Sequence, residues 1–234
     1  MSKPYKLSAF AGKIIAVDGP AGAGKSTTAR LLAARLGYIY LDTGAMYRAV
    51  TLFALKNNIL PEDGVALTET ARKLTIEFRV EGNINKVYLN GADVTYLIRT
   101  PEVTKAVSAV SAHAGVREAL VRLQREIGKK GNVVAEGRDT TSVVFPEADL
   151  KIYLDASIAE RARRRVLDFA RMNLPTTVEE QTKELTRRDA LDSGRSASPL
   201  MRTGDAIVVD TTNLSIEEQV DRIIKLAKSR FIKL

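Results

Sequence analysis

The sequence of 234 residues contains no cysteine, no tryptophan and a single histidine, His113. Without cysteine the protein forms no disulfide, no thiolate metal site and no thiol nucleophile. With one histidine we expect neither a histidine-ligated metal site nor a histidine-based catalytic triad. The absence of cysteine also fits a reducing compartment, and we therefore expect a cytoplasmic protein.

Long apolar runs are missing as well. No stretch approaches the roughly 18 consecutive apolar residues that a membrane-spanning helix requires. The N-terminal segment MSKPYKLSAFAGK is too short and too polar for a signal peptide. Hydrophobic residues make up 45% of the chain and charged residues 27%, which is ordinary for a globular protein. We therefore expect one folded domain that has no membrane partner.

The most specific pattern in the sequence is the segment Gly19–Ser26, which fits G-x-x-x-x-G-K-[ST] at every fixed position and is called the phosphate loop below. Its glycines allow backbone N–H groups to turn toward phosphate oxygens. Lys25 is placed to reach the β- and γ-phosphates of a nucleotide, and the Ser26 hydroxyl to bind Mg²⁺. An apolar run before the loop predicts a strand, and helical spacing after it predicts a helix that ends at Gly37. This context predicts binding of a nucleoside triphosphate.

The order of strand, short loop and helix recurs along the chain, which favours an α/β fold with a parallel sheet. The predicted strands of that sheet are residues 14–17, 38–41, 132–135, 150–154 and 206–209. Between about 58 and 101 the apolar residues alternate with polar ones, with turns at Glu81–Lys86 and Asn90-Gly91, as in antiparallel strands. Residues 102–128 return to helical spacing, with a break near Gly115. We expect a five-stranded parallel sheet flanked by helices, with a small antiparallel insert.

Positive charge is the second strong signal. The formal net charge is +8, and four arginines lie within Arg161–Arg165. Other arginines follow predicted strands, and the carboxyl ends of parallel strands meet at one edge of a sheet. Because these arginines do not form one stripe and aromatic residues make up only 6% of the chain, we interpret the charge as serving small phosphates rather than nucleic acid. Arginine suits this role, since its planar fork binds phosphate oxygens bidentately.

Alternatives remain open at this point. Arg188, Asp192 and Arg195 have the spacing i, i+4, i+7 of one helix face, which is also common on a solvated surface. A kinase that acts on a hydroxyl would need a carboxylate base, for which only Asp42 and Asp139 are well placed. A phosphate acceptor needs no base, because its oxygens are already anionic at neutral pH. A nucleotide-dependent switch or a nucleic-acid-binding protein is the further alternative.

Several segments together resemble bacterial cytidylate kinases, a family of nucleoside monophosphate kinases with a phosphate loop. They are Asp42-Thr-Gly-Ala-Met-Tyr-Arg48, Arg99-Thr100, Gly137-Arg138-Asp139 with Val143-Val-Phe-Pro146, and Arg188-Asp189 through Arg195. The resemblance covers nearly the whole chain, including the antiparallel insert. It implies transfer of the ATP γ-phosphoryl group to CMP or dCMP, with ADP and CDP or dCDP as products.

The resemblance also implies roles for individual residues. The residues that would hold the ATP phosphates are Gly19, Pro20, Ala21, Gly22, Ala23, Gly24, Lys25, Ser26 and Thr27. The residues that match the family's acceptor positions are Thr43, Tyr47, Arg48, Ser108, Arg117, Arg138, Asp139, Arg188, Asp192 and Arg195. Of these, Arg48, Arg138 and Arg195 would hold the acceptor phosphate. Arg188 and Asp192 would face the ribose, and the residues that would face the base are Ser108, Arg117 and Asp139.

We expect the kinase core to comprise residues of about 10–57, 102–159 and 196–234, the acceptor-binding insert about 58–101, and an arginine-rich lid about 160–195. Lys25, Arg138 and the lid arginines Arg161, Arg164 and Arg165 are the predicted catalytic residues, and Ser26 the predicted metal ligand. ATP with Mg²⁺ and CMP or dCMP are the expected partners of a monomer. One departure from the family pattern is Thr141, where glycine is usual. A positive φ there would strain a threonine.

Overall fold

The computed structural model describes residues 8–81, 84–171 and 173–232. Within these residues the packing of the chain defines two compact units. The first consists of the chain up to Tyr40 and from Lys130 onward, and the second is Leu41–Lys129. None of the described helices is long and apolar enough to cross a membrane. The segment 1–7, which includes much of the N-terminal stretch considered above, lies outside the described residues.

The first unit is built on a parallel sheet. The strands of this sheet are β1 (Ile14–Asp18), β2 (Ile39–Asp42, of which residues 39 and 40 belong to the first unit), β6 (Val133–Glu136), β7 (Leu150–Asp155) and β8 (Ile207–Asp210), in the spatial order β2-β6-β1-β7-β8. β1 lies at the centre and pairs in parallel with β6 and β7, and β8 pairs in parallel with β7. The predicted five-stranded parallel sheet is therefore confirmed, with each strand boundary within one residue of the prediction.

The helices of this unit are α1 (Lys25–Leu36), α6 (Ile158–Arg171), α7 (Val178–Ser193) and α8 (Ile216–Phe231). α1 buries Ala29, Leu32 and Ala33 against the sheet and α8, because these residues share one helical face. It ends at Gly37, whose left-handed conformation lets its N–H bond the last carbonyls, as the sequence predicted. α7 and α8 each begin with a capping box, at Thr177 and Ser215.

The second unit contains the predicted antiparallel strands and more helix than predicted. Its helices are α2 (Thr43–Lys56), α3 (Gly64–Lys73), α4 (Pro101–Val110) and α5 (Ala114–Gly128), and its strands are β3 (Ile76–Glu81), β4 (Ile84–Leu89) and β5 (Ala92–Asp93). β3-β4-β5 form a separate antiparallel sheet. The turn at Asn90-Gly91 is confirmed, with positive φ at both residues.

Two details of this unit differ from the prediction. Helix α3 was not predicted, because only Leu67 and Ala71 are buried on it and its apolar stripe is short. Part of the segment predicted as a turn, Glu81–Lys86, is strand instead, since β3 extends to Glu81 and β4 begins at Ile84. Residues 82 and 83 of the predicted turn lie outside the described residues. The predicted helical break near Gly115 is confirmed, because α4 ends at Val110 and α5 begins at Ala114.

Candidate active site

The phosphate loop connects the end of β1 to the first turn of α1. Its backbone requires glycine at two points in particular. Gly19 has φ 148°, and a Cβ there would lie 2.0 Å from the Leu154 carbonyl oxygen. Gly24 has φ 91°, and a Cβ there would meet the Gln219 side chain at 3.2 Å. The loop therefore holds its shape only with these glycines, and it points the positive N-terminus of α1 at whatever it binds.

Lys25 is the first residue of α1 and is buried. Its Nζ donates a hydrogen bond to the Pro20 carbonyl at 2.7 Å. Burial, together with the nearby charge of Arg138, lowers the pKa of Lys25 from 10.5 to about 7, although Glu136 acts in the opposite direction. A lysine desolvated in this way interacts strongly with any anion that enters the loop, because its charge is poorly screened.

Ser26 lies beside a carboxylate at the end of β6. The Ser26 hydroxyl donates to Glu136 Oε1 at 2.6 Å, and the Tyr40 hydroxyl donates to the same oxygen at 3.1 Å. Glu136 is only 4% exposed. In the described part of the chain no three carboxylate, histidine or cysteine side chains form a metal-binding group. A hydroxyl with one carboxylate fits Mg²⁺, which keeps several waters and takes phosphate oxygens as further ligands.

Arg138 and Arg195 are brought together by one carboxylate on α7. Arg138 Nε donates to Asp192 Oδ2 at 2.7 Å, and Arg195 donates to Asp192 Oδ1. Burial acts to raise the pKa of Asp192, but the charges of Arg138 and Arg195 dominate and hold it below its usual range. Arg188 is close enough that its charge lowers the pKa values of both Lys25 and Asp192. Arg188 and Asp192 lie on α7, but Arg195 follows the end of this helix at Ser193, so the prediction of one helix face is wrong for Arg195. The three side chains still form an electrostatic cluster near Lys25.

The lid arginines are engaged with the protein itself. Arg161 is buried, and it donates to the Ala156 carbonyl at 3.1 Å, to the Ala21 carbonyl at 3.0 Å and to Asp189 Oδ2 at 2.5 Å. The other oxygen of Asp189 accepts the Ala21 backbone N–H of the phosphate loop at 3.3 Å. Arg161 and Asp189 thus tie α6 and α7 to the loop.

The other two lid arginines have different surroundings. Arg164 donates to Glu160 Oε1 at 2.9 Å and to the Thr211 carbonyl at 2.6 Å. Its guanidinium also lies close to the phosphate loop, because Nη1 is 3.7 Å from where a Cβ on Gly24 would be. Arg165 lies over the ring of Phe169, with its Cζ 5.1 Å from the ring centroid. Arg164 is therefore the partly exposed lid arginine whose guanidinium lies near a glycine of the phosphate loop, whereas Arg161 is buried.

The predicted acceptor residues of the second unit lie on α2, α4 and α5. Tyr47 and Arg117 are both buried and touch, with the guanidinium 5.1 Å from the ring centroid. Arg117 Nη1 also donates to the Ser111 carbonyl at 3.0 Å. Arg48 Nη1 donates to Thr104 Oγ1 at 2.9 Å. Ser108 is half-buried on α4, the helix that also carries Thr104.

The start of α2 engages Asp42, one of the two candidates for a general base. Thr43 is buried as the first residue of the helix, and Asp42 is its N-cap. The Asp42 carboxylate accepts the Ala45 N–H at 2.8 Å and pairs with Arg99 at 3.0 Å. Asp42 therefore caps the helix and is paired with Arg99.

Asp139 follows β6 and Arg138, and it is 3% exposed. After it, Thr140–Val144 form a single π-helical turn, and Thr141 does not have a positive φ. The strain considered for a threonine at this position is therefore absent. The side chains and backbone N–H groups of Thr140 and Thr141 instead donate to the buried carboxylate of Asp18.

Residues 15–229 match the family model described as cytidylate kinase. The chain belongs to the cytidylate kinase family. It is 48% identical to the cytidylate kinase of Geobacillus sp. strain WCH70 over 216 residues, covering 92% of this chain and 96% of that protein. It is also 47% identical to the cytidylate kinase of Bacillus cereus strain ATCC 10987 over 219 residues, covering 94% of this chain and 97% of that protein.

A solved structure shares the fold at low identity. An uncharacterized protein from Eubacterium ventriosum aligns with a TM-score of 0.52 and 13% identity, covering 94% of this chain and 99% of that chain. This likeness concerns the fold alone. The match to cytidylate kinases, by contrast, spans the phosphate loop and all the arginines singled out in the sequence.

Three carboxylates near the phosphate loop were not assigned a role from the sequence. They are Asp18, Glu136 and Asp189. Asp18 and Glu136 are the last residues of β1 and β6, and an acidic residue that ends a buried strand of a parallel sheet is a signal that could have identified both. Asp189 lies within a charged helix, and nothing in its spacing distinguishes it from a solvated residue.

Proposed function

We propose that this chain transfers the γ-phosphoryl group of ATP to CMP or dCMP and releases ADP and CDP or dCDP. The observation that carries the proposal is the family match over residues 15–229, which includes both the donor loop and the arginine cluster. The site chemistry supports it, because phosphoryl transfer depends mainly on positioning and charge stabilisation.

The phosphate loop and Lys25 are the proposed donor site. Backbone N–H groups and the N-terminus of α1 would hold the triphosphate. A bound phosphate would favour the ammonium form of Lys25, which burial alone disfavours. Ser26 and Glu136 are the residues that would hold Mg²⁺, directly or through water. When bound, the metal neutralises charge on the phosphate oxygens.

Arg138 and Arg195 are the proposed anchors of the acceptor phosphate in the first unit, and Arg48 in the second. Asp192 holds the two arginines of the first unit in place, so their guanidinium groups are ordered before the phosphate binds. Arg188 and Asp192 are assigned to the ribose by family resemblance. No general base is required, since the acceptor is a phosphate with a second pKa of about 6.

Asp139, Ser108 and Arg117 are proposed to select the base. Cytosine carries an exocyclic amine, which a carboxylate accepts well, whereas uracil carries a carbonyl at that position. With UMP, the Asp139 carboxylate would meet that carbonyl oxygen to oxygen instead of accepting a hydrogen bond from the base. Loss of a hydrogen bond to a buried polar group costs about 1–3 kcal/mol, and more for a charged group. Asp139 would thereby favour CMP over UMP.

A coupled ADP-release assay against a panel of nucleoside monophosphates tests the proposal. We expect rapid turnover with CMP and dCMP and slow turnover with UMP and purine monophosphates. Turnover with an alcohol substrate and no stimulation by CMP would support a hydroxyl-directed kinase instead. Slow ATP hydrolysis that no acceptor stimulates would support a nucleotide-dependent switch.

The Asp139→Ala variant tests base selection within the same assay. We expect the ratio of kcat/KM for CMP to that for UMP to fall by about tenfold, as expected for loss of an interaction of 1–3 kcal/mol. Asp205→Ala is the control, because this exposed carboxylate pairs with Lys151 and has no proposed role. An unchanged ratio in Asp139→Ala would contradict the assignment.

A further inference from the structure

Asp18 is a buried carboxylate that the proposed chemistry does not use. It is the last residue of β1, directly before Gly19 of the phosphate loop, and its exposed fraction is 0%. An ionised carboxylate in such a place is costly unless several donors satisfy it. Its partners therefore indicate what the residue is for.

Each carboxylate oxygen of Asp18 accepts two hydrogen bonds from one threonine. Oδ1 accepts the Thr140 backbone N–H at 2.9 Å and the Thr140 hydroxyl at 2.6 Å. Oδ2 accepts the Thr141 backbone N–H at 2.7 Å and the Thr141 hydroxyl at 2.7 Å. Both threonines are fully buried. The carboxylate is thus bonded to two consecutive peptide units.

The peptide units so held directly follow Asp139. The Asp139 carbonyl oxygen accepts the backbone N–H groups of Val143 and Val144, at 2.9 and 3.1 Å, within the π-helical turn. The peptide unit that joins Asp139 to Thr140 is therefore held at its carbonyl by this turn and at its N–H by Asp18. Arg138, one residue earlier, is held through Asp192.

Burial raises the pKa of Asp18, and the hydrogen bonds from Thr140 and Thr141 oppose this effect. Of the four hydrogen bonds to Asp18, only the two from hydroxyl groups require threonine or serine at these positions. The two from backbone N–H groups could form with any residue other than proline. The hydroxyls of Thr140 and Thr141 thus stabilise the charged carboxylate where the sequence suggested strain.

We propose that Asp18, Thr140 and Thr141 form a clamp that positions Arg138 and Asp139 relative to the phosphate loop, and that the clamp thereby sets both acceptor alignment and the preference for CMP over UMP. These three are positioning residues that act through Arg138 and Asp139. The proposal rests on the proposed function, to which it adds a second determinant of specificity.

Thr141→Val is the main test, because it removes one hydroxyl and keeps the size and shape of the side chain. We expect kcat with CMP to fall by about tenfold, the CMP/UMP preference to fall, and KM for ATP to stay within about twofold, since small misplacements of a positioned group reduce rate strongly. Thr141→Ser retains the hydroxyl and should restore kcat and preference.

Thr212→Val is the matched control. Thr212 also donates its backbone N–H and its hydroxyl to one carboxylate oxygen, Asp210 Oδ1, at 2.8 and 2.6 Å, but it lies after β8 and has no proposed role in the site. Its kcat with CMP should equal that of the wild type. A folded Thr141→Val variant with wild-type kcat and preference, or failure of Thr141→Ser to restore them, would overturn the proposal.

Amide hydrogen exchange in Asp18→Asn separates the clamp from the proposed function. We expect the backbone N–H groups of Thr140 and Thr141 to exchange at least about tenfold faster than in the wild type, because an amide offers only one acceptor oxygen. Unchanged exchange would overturn the clamp. A wild-type protein without CMP-dependent turnover would refute the proposed function, and this exchange result would still decide whether the clamp exists.

Discussion

At the scale of single residues, the site is defined by charged side chains that the fold has removed from water. Lys25, Glu136 and Asp192 are each at most 5% exposed. The desolvation cost of these buried charges is offset only because opposite charges and hydrogen-bonding groups lie beside them. Lys25 is the extreme case, with a pKa of about 7. We therefore expect replacement of Lys25 to change both kcat and the pH dependence of the free energy of unfolding.

Replacing Lys25 with Met should lower kcat by roughly 1,000-fold while the protein still folds, because the main charge that stabilises the transferred phosphoryl group is lost. The coupled ADP-release assay measures the loss, and circular dichroism checks the fold. Lys13→Met is the control, since Lys13 precedes β1 and bonds Asp149 instead of lining the loop. Near-normal turnover of Lys25→Met would contradict the donor site.

The wild type and Lys25→Met should also differ in how their free energies of unfolding depend on pH. The folded-state pKa of Lys25 is about 7 and its ordinary value is 10.5. Between these pH values the Lys25 side chain binds a proton in the unfolded chain but not in the folded chain. The free energy of unfolding therefore rises with pH across this window. This added stability is lost as the pH falls to about 7, below which both states are protonated. From about pH 8 to 9 the free energy of unfolding of the wild type should rise by roughly 1 kcal/mol relative to that of Lys25→Met, as measured by urea unfolding. A difference independent of pH would contradict the shifted pKa.

At the scale of elements, α6 and α7 are joined to the phosphate loop by Arg161 and Asp189. The sequence grouped Arg161 with the lid arginines as a catalytic residue, and this assignment stays a prediction. In the structure its guanidinium bonds two carbonyls and a carboxylate of the protein. The planar guanidinium places these donors on two nitrogen atoms, Nε and Nη1, whereas a lysine carries all its donors on one atom and should not reach the same acceptors.

Arg161→Lys should therefore destabilise the protein by about 2–3 kcal/mol, because hydrogen bonds to a buried charged group are lost and their acceptors left unpaired. Urea unfolding measures the change. Arg163→Lys is the matched control on the same helix. Arg163 is exposed and pairs with the neighbouring Glu160, so its replacement should leave the unfolding free energy nearly unchanged. Equal changes in the unfolding free energy of the two variants would contradict the proposed role of Arg161 in connecting α6 and α7 to the phosphate loop.

At the scale of the whole molecule, the net charge of +8 could attract either nucleic acid or small phosphates. Many arginines form ion pairs with carboxylates inside the chain: Arg35, Arg79, Arg99, Arg138, Arg161, Arg163, Arg164, Arg187 and Arg195. An extended phosphate backbone would have to compete with several of these carboxylates at once, whereas a small phosphate at Arg138 and Arg195 competes with Asp192 alone. We therefore expect a protein that binds small phosphates locally.

We expect weak binding of nucleic acid as a result. The dissociation constant for a labelled single-stranded oligonucleotide at about 0.15 M salt should exceed roughly 100 μM, the weak end of non-specific binding. Fluorescence anisotropy at several salt concentrations measures it. A dissociation constant near 1 μM that weakens steeply with salt would favour the nucleic-acid alternative.

The sequence by itself determined the local elements of this protein. The G-x-x-x-x-G-K-[ST] spacing places the phosphate loop between β1 and α1, and apolar runs locate every strand of the parallel sheet, because these patterns reflect backbone and burial requirements of a few adjacent residues. Where the pattern was short, as in α3, the prediction failed. The arginine types also indicated phosphate chemistry before any contact was known.

Only the tertiary structure decided which partner each charged side chain takes. Asp18 meets Thr140 and Thr141 across more than a hundred residues of chain, and Arg138 meets Asp192 across 54. Arg161, one of four arginines in five residues, is the one buried against the phosphate loop. Such pairings depend on which strands are neighbours and how helices pack. For the same reason Thr141, which the sequence marked as a source of strain, is in the structure a donor that stabilises a buried carboxylate.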